Sequence, residues 1–394
     1  MSQQNDFENL PIDENDSKEN VVDATLEESA ANQENSEEEA DNTKDKKPKK
    51  KKKSKVKKIL LWILIVFLVI ILSGVITIFV MIQIGKSSLL NIDGMNLDPS
   101  GVISNLEVED NGKTIEYNGK KYVYNENMTA ILCIGVDKES ISEDIGPNGS
   151  NGQADALFLY AMDTSNGKST VIPISRDTMV DVDLYSAAGN FVSSSKKQLC
   201  LAYAYGDGKK QSCQNTIKSV SRLFFGLPIN SYVAIDLKAI EVLSKEVGGV
   251  TVVPNEDFEY LGYSYYKGQA TTLEGTEARM YVQGRDQSKL DSNLNRMARQ
   301  KQFLTSYFSK VVSKTKQNLT YPIDVYNATE KYMLTDIDVS EVSFLASCVI
   351  SNDLGLQYKS IMGEITMGEK YAEYYADDES IYQIIVDVFY KPIS

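Results

Sequence analysis

From Ile59 to Ile84 the chain runs almost without interruption through apolar residues and carries no charge. Wound as a helix, such a run extends about 39 Å, more than the roughly 30 Å hydrocarbon core of a bilayer. It is too long, and too far from Met1, for a simple cleaved leader, so it predicts one transmembrane helix. Further on the pattern shortens. Ile131–Val136, Ala156–Met162 and Ser169–Ile174 are continuous apolar stretches of the kind that form strands buried on both faces. Ser165-Asn166-Gly167-Lys168 joins the last two, and Asn-Gly accepts the positive φ of a hairpin turn. Met179–Leu184 reads as a strand end followed by a polar loop to Lys197.

Helical spacing then alternates with strands. Gln211–Phe225 has Ile217, Val220 and Phe224 on one face and stops at Gly226-Leu227-Pro228. Tyr232–Leu237 reads as a strand, Lys238–Val247 as a helix closed by Gly248-Gly249, and Val250–Val253 as the next strand. Leu273–Val282 reads as a helix. A long one runs from Asn293, taken as its N-cap, to Lys316, with Met297, Leu304, Phe308 and Val311 inward. Ser340–Ile350 and Ser380–Val388 are two more helices, with Leu356–Thr366 extended between them. This succession predicts an α/β domain with helices on both sheet faces. The whole divides into residues 1–58, a disordered cytoplasmic tail; 59–84, the membrane helix; 85–127, a stalk; 128–318, the principal domain; and 319–394, a C-terminal α/β portion packed on it. In the stalk, turn signals at Asp110-Asn111-Gly112 and Asn118-Gly119 bracket a small hairpin.

The formal net charge of -14 over 394 residues comes largely from the acidic first 45 positions, which lack an apolar period and cannot offset their chain entropy. Apart from Lys44–Lys58, nothing suits a nucleic-acid partner. That basic block abuts the membrane run and orients it, with the N-terminus cytoplasmic and the remainder outside. The chain has no histidine. Acid–base work therefore falls to Asp, Glu, Lys or Tyr, and a bound metal is expected to be a hard one held by oxygens, such as Mg²⁺. Of four cysteines, Cys133 and Cys348 lie in apolar runs. Cys200 and Cys213 flank a polar loop, and outside the membrane a disulfide between them is expected, contributing roughly 3 kcal/mol.

Candidate chemistry gathers at the strand ends. Asp137 follows the first strand, Asp155 precedes the second, and Arg176-Asp177 follows the third, where ligands of α/β folds usually bind. Two carboxylates and a guanidinium suit a metal and a phosphate, although on spacing alone strand-end charges that merely pair with one another fit equally well. Arg296, Arg299, Gln300 and Phe303 share one face at the start of the long helix. Two guanidiniums there oppose the helix dipole, and a bound anion resolves the conflict. Arg285 lies just upstream. A solvated charged face is the plainer reading, but the nearby Arg285 favours an anion site.

Taken in order, Ile131–Asp137, Gly152–Asp155, Pro173–Thr178, Leu201–Gly208, Leu227–Asp236, Val247–Val252, Leu273–Asp286 and Asn295–Gln300 resemble the LytR-CpsA-Psr family of envelope phosphotransferases. The resemblance implies a three-layer α/β/α fold around a mixed sheet, with a hydrophobic groove for a prenyl tail. It implies transfer of a glycopolymer, such as teichoic acid or capsule, from a polyprenyl pyrophosphate carrier to peptidoglycan. It assigns Mg²⁺ to Asp137 and Asp155, and pyrophosphate to Arg176, Arg285, Arg296, Arg299 and Gln300, with Lys197 the nearest match to a basic position. Asp155 is the first choice to accept the acceptor hydroxyl's proton, with Arg176 and Arg285 beside it. Asp177 and Asp286 are expected to serve only as partners to neighbouring arginines. Two positions depart from the family pattern: Gln283 stands for the first arginine of Val-Arg-x-Arg, and Gln153-Ala154-Asp155 for Arg-Ser-Asp. The Gln283 change favours one rival expectation, a non-catalytic module that binds lipid-linked glycan or regulates the envelope; a second rival is a pyrophosphatase that uses water as acceptor.

Overall fold

The computed structural model describes residues 52–91, 95–99, 101–103, 106–141, 152–186, 188–285, 292–350 and 355–393. Of the tail expected to be disordered over residues 1–58, residues 1–51 lie outside them, as does the expected role of Asp286, whereas residues 52–58 belong to a helix. In chain order the elements are α1 (Lys52–Leu89), β1 (Leu106–Glu109), β2 (Thr114–Tyr117), β3 (Lys120–Tyr124), β4 (Met128–Val136), β5 (Ala154–Asp163), β6 (Lys168–Ile174), β7 (Met179–Tyr185) and β8 (Phe191–Gln198). They continue through α2 (Leu201–Ala204), α3 (Lys210–Leu223), β9 (Ser231–Ile235), α4 (Leu237–Glu246), β10 (Val250–Val252), β11 (Phe258–Tyr260), β12 (Tyr263–Tyr265), β13 (Thr271–Leu273), α5 (Thr276–Gln283) and α6 (Ser292–Gln317). The last are α7 (Tyr321–Thr329), β14 (Met333–Thr335), α8 (Val339–Ile350), β15 (Leu356–Tyr358), β16 (Gly363–Met367), β17 (Ala372–Ala376), α9 (Asp378–Phe389) and β18 (Tyr390–Pro392).

The central sheet has the order β14-β9-β4-β5-β6-β15. Strands β4, β5 and β6 are successive antiparallel neighbours, whereas β9 joins β4 and β15 joins β6 in parallel, so the sheet is mixed. Its two faces are covered unequally. Tyr232, Leu132, Leu159 and Ile172 lie side by side and are fully buried beneath α2, α3 and α9 in the main core. On the other face the neighbouring row, Val233, Cys133, Phe158 and Pro173, is only half-buried. That half-open apolar strip lies on the side of α8, which packs on Tyr160 and Met162 of the same face. A second core of Val250, Tyr265, Leu273 and Tyr281, with Phe258 packed against it, fixes the β11–β12 hairpin to α5.

The three apolar stretches are strands as expected, and Gly167 takes φ 72° in the turn that joins two of them. The structure differs from the sequence reading in four places. The polar stretch before Lys197 is not a loop: it is β8, paired with β7, because Asp183 at a buried position draws in Ser194, Lys218 and Arg222. Asn293 lies inside α6 rather than capping it, and its amide bonds Asp177 and Ser175 instead. Residues 95–124 are no stalk, because Leu97, Ile115, Tyr117 and Tyr124 enter the main core and β3 pairs with β18. Finally, Cys200 and Cys213 are both free thiols. Cys200 faces the Arg176 guanidinium at 3.4 Å, whereas Cys213 points from α3 into the core.

Helix α1 is the one described helix long and apolar enough to cross a membrane. Its C-terminal end is seated against α8. A side chain at Gly85 would meet the Ser340 carbonyl oxygen at 2.3 Å, so only glycine fits there. Ser88 Oγ donates to the buried Glu341 at 2.5 Å, and Leu89 packs with Met162, Phe344 and Cys348.

Candidate active site

Because β4, β5 and β6 alternate in direction, the end of β4, the start of β5 and the end of β6 fall on one edge of the sheet. Val136 pairs with Ala154, and the Asp137 amide donates to Gln153 O at 3.0 Å, which sets Asp137 beside Asp155. Arg176, two residues beyond β6, bonds Asp155 Oδ1 and Gln153 Oε1. Arg296, one turn into α6, reaches across and donates to Asp155 Oδ2 at 3.0 Å and to Asp155 O at 3.1 Å. Asp155 is therefore gripped between two guanidiniums, one on each oxygen.

Asn293 completes this corner. Its oxygen accepts from Arg296 at 2.9 Å, and its amide nitrogen donates to Asp177 Oδ2 at 2.9 Å. Sequence reasoning assigned it only a cap; its spacing of three from Arg296 was the available signal. The Nε groups of Arg176 and Arg296 are buried without a hydrogen-bond partner, and Asp177 stands 3.7 Å from the former. Burial pulls Arg296 below the usual guanidinium range despite Asp155. Burial first, and the neighbouring Asp155 second, push the Asp137 carboxyl up, against the pull of Arg176, Arg296 and Arg279. Among the described residues no side chain or amide donates to the Asp137 carboxylate.

A cavity of about 150 Å³ opens at this edge, lined by Asp137, Asp155, Arg176, Tyr260, Gln283, Arg285 and Arg296. Three guanidiniums face two carboxylates, so the lining is cationic by one charge. Arg285 lines it without an ion pair to another described residue. It also lines an adjoining cavity of about 330 Å³, with Glu256, Asp257, Phe258, Glu259, Ser292, Asn295 and Arg299. Gly284 sets the approach of Arg285: a Cβ there would meet Tyr260 Cβ and Cγ at 2.9 Å. On the other side of α6 an apolar cavity of about 240 Å³ is lined by Pro173, Leu294, Met297, Ala298 and Ile361, among others.

The remaining expected residues are placed differently. Arg299 bonds Glu256 at 2.8 Å, Tyr281 O at 3.2 Å and Gly284 O, and lies 4.0 Å over the Phe258 ring. Its donors serve the protein, and it holds the segment that carries Arg285. Gln300 donates to Val282 O at 3.2 Å and lines neither the 150 Å³ nor the 330 Å³ cavity. Lys197, on β8, lies 5.8 Å over the Tyr205 ring and is not brought to the cavity. Tyr260 and Gln283 line the cavity without having been singled out as ligands. The arrangement can bind a phosphate-sized anion between Arg285, Arg176 and Arg296, beside a carboxylate pair, with a separate apolar cavity across α6.

Comparison with known proteins finds relatives for most of the chain. The model of the LytR_cpsA_psr family matches residues 95–386. The polyisoprenyl-teichoic acid–peptidoglycan teichoic acid transferase TagU of Enterococcus faecalis is 23% identical over 275 residues, covering 69% of this chain and 80% of that protein. The like-named TagV of Bacillus subtilis is 30% identical over 190 residues, covering 47% of this chain and 44% of that protein. The crystal structure of B. subtilis TagV shares the fold, with a TM-score of 0.52 at 21% identity, over 66% of this chain and 96% of that one.

Proposed function

Because the chain belongs to the LytR_cpsA_psr family, we propose that it transfers a polyprenyl-linked glycopolymer to peptidoglycan, releasing the carrier as polyprenyl phosphate. The observation that carries this reading is the shared cavity edge, where Arg176, Arg285 and Arg296 converge beside Asp137 and Asp155. Arg285, which makes no ion pair with another described residue, supplies a guanidinium to the diphosphate oxygens. Arg176 and Arg296 hold fixed positive charge behind it, which is how phosphoryl transfer is chiefly assisted. The half-open strip of Val233, Cys133, Phe158 and Pro173 offers the prenyl tail an apolar seat.

Magnesium fits the donor set. Among the described residues nothing donates to the Asp137 carboxylate, burial and then Asp155 raise its carboxyl, and each Asp155 oxygen keeps a lone pair. Asp137 and Asp155 would hold the ion, with phosphate and water as its other ligands. It would neutralise charge on the leaving phosphate. With both Asp155 oxygens engaged by guanidiniums, Asp137 is the stronger candidate to take the acceptor hydroxyl's proton, and Asp155 anchors the two arginines. The one described helix long and apolar enough to cross a membrane, with the lysines before it, supports a membrane-anchored enzyme with its domain outside the cell.

The test is transfer of labelled glycan from a lipid-linked donor to peptidoglycan oligomers by the full chain in detergent. Arg285→Ala should abolish transfer with an unchanged melting temperature. Full activity in that variant sinks the assignment. Release of polyprenyl phosphate at the same rate with no acceptor present would identify a pyrophosphatase instead.

A further inference from the structure

The two positions where arginine gives way to glutamine are built alike. Gln153 Oε1 accepts from Arg176, and Gln283 Oε1 accepts from Arg279 Nε at 3.2 Å. A guanidinium only donates, so each amide must turn its oxygen to the arginine and its NH₂ away. Gln283 lines the 150 Å³ cavity and Arg279 does not. Among the described residues nothing accepts from the Gln283 NH₂. Arg279 sits one helical turn earlier on α5 and is itself held firmly. It forks onto Glu139, with one arm at 2.7 Å, and stands 3.6 Å from the buried Glu241. Its charge is therefore met by two carboxylates outside the cavity, while its Nε fixes the amide.

Resting on the reading above, we infer that Arg279 is a positioning residue which aims the Gln283 amide into the anion cavity as a neutral donor, and that this pair sets the cavity's preference among phosphate groups. The cavity's excess of one positive charge would become two with arginine at position 283. A pyrophosphate diester spreads two charges over two phosphorus atoms. The monoester left after transfer concentrates up to two on one. An uncharged donor keeps a hydrogen bond to either but gives the concentrated charge no extra hold, so it favours departure of the monoester product.

The probe is geranyl phosphate, titrated into the full chain in detergent at several salt concentrations. Gln283→Leu and Arg279→Met should each weaken binding about fivefold to tenfold, and the double variant no further, because the two side chains act as one unit. Gln283→Arg should tighten binding at least tenfold, steepen its salt dependence and lower kcat while lowering KM. Arg279→Lys keeps a charge for Glu241 but has no fixed fork, so it should match Arg279→Met and serves if the latter fails to fold. Weakening by Gln283→Leu with wild-type binding in both Arg279 variants overturns the positioning role. Wild-type binding in Gln283→Leu overturns the site. If the unaltered chain does not bind the probe at all, the failure is of the proposed function, not of this inference alone.

Discussion

Asp155→Asn tests whether the carboxylate competes with the ligand for the same two guanidiniums. In the folded chain Asp155 is held between Arg176, 14% exposed, and Arg296, 5% exposed. At an effective dielectric of about 20, unit charges about 4 Å apart interact by roughly 4 kcal/mol. Removing one member of a buried pair costs about 3–5 kcal/mol, because its partners are left charged and unmatched. The 24% exposure of Asp155 places the loss near the lower end, about 3 kcal/mol. The same carboxylate repels an incoming phosphate charge about 8 Å away by roughly 2 kcal/mol. The variant should therefore be less stable when empty, bind inorganic pyrophosphate about 30-fold more tightly, and fail in glycan transfer. Pyrophosphate at a hundred times its Kd would return about 2.7 kcal/mol, nearly the whole deficit. Calorimetric titration and chemical denaturation with and without the anion measure both terms. Weaker pyrophosphate binding in the variant, or unchanged stability in the empty protein, would refute the competition.

Four further outcomes are expected. Asp137→Asn should raise the melting temperature at neutral pH yet abolish transfer. The raised carboxyl favours the protonated form when folded, so its contribution is present at low pH and lost as pH rises through its folded value. Asp183, whose carboxyl is pushed up by burial but held down more strongly by Arg222, Lys218 and Ser194, titrates near about 2. Asp183→Asn should cost about 2 kcal/mol at neutral pH, allowing for the exposed lysine, and the difference should vanish as acid carries the wild type from about pH 4 through 2. Gly284→Ala should lower stability by about 1–3 kcal/mol and transfer by more, since the added Cβ displaces Tyr260 and with it Arg285; equal effects on both would contradict this. Thiol titration in denaturant without reductant should find four free cysteines; two would restore the rejected disulfide.

What sequence conveyed about the site was direction, and what it missed was pairing. Asp137, Asp155 and Arg176 share one sheet edge because antiparallel neighbours deliver alternate ends there, and apolar runs mark those ends. Arg285 and Arg296 join them. Arg299 did not convert to a free ligand, because its partners Glu256, Tyr281 O and Gly284 O come from elements whose contact with α6 no local spacing reveals. Lys197 was placed by adjacency to Leu201–Gly208, but β8 carries it to the Tyr205 ring. The serine-rich stretch of β8 looked like a loop because its strand character depends on Asp183 across the hairpin. The role of Arg279 was invisible for the same reason: a helical arginine reads as solvated until Glu139, Glu241 and Gln283 are seen around it.

The seat of α1 on α8 has a mechanical outcome. With Gly85 pressed on the Ser340 backbone and Ser88 tied to Glu341, the anchor behaves as a mast stepped into the hull, not a tether. Each residue inserted above that joint would turn the apolar segment by about 100° and shift it by 1.5 Å relative to the domain. The bearing of the arginine cavity about the axis of that helical end is thereby written into a count of residues.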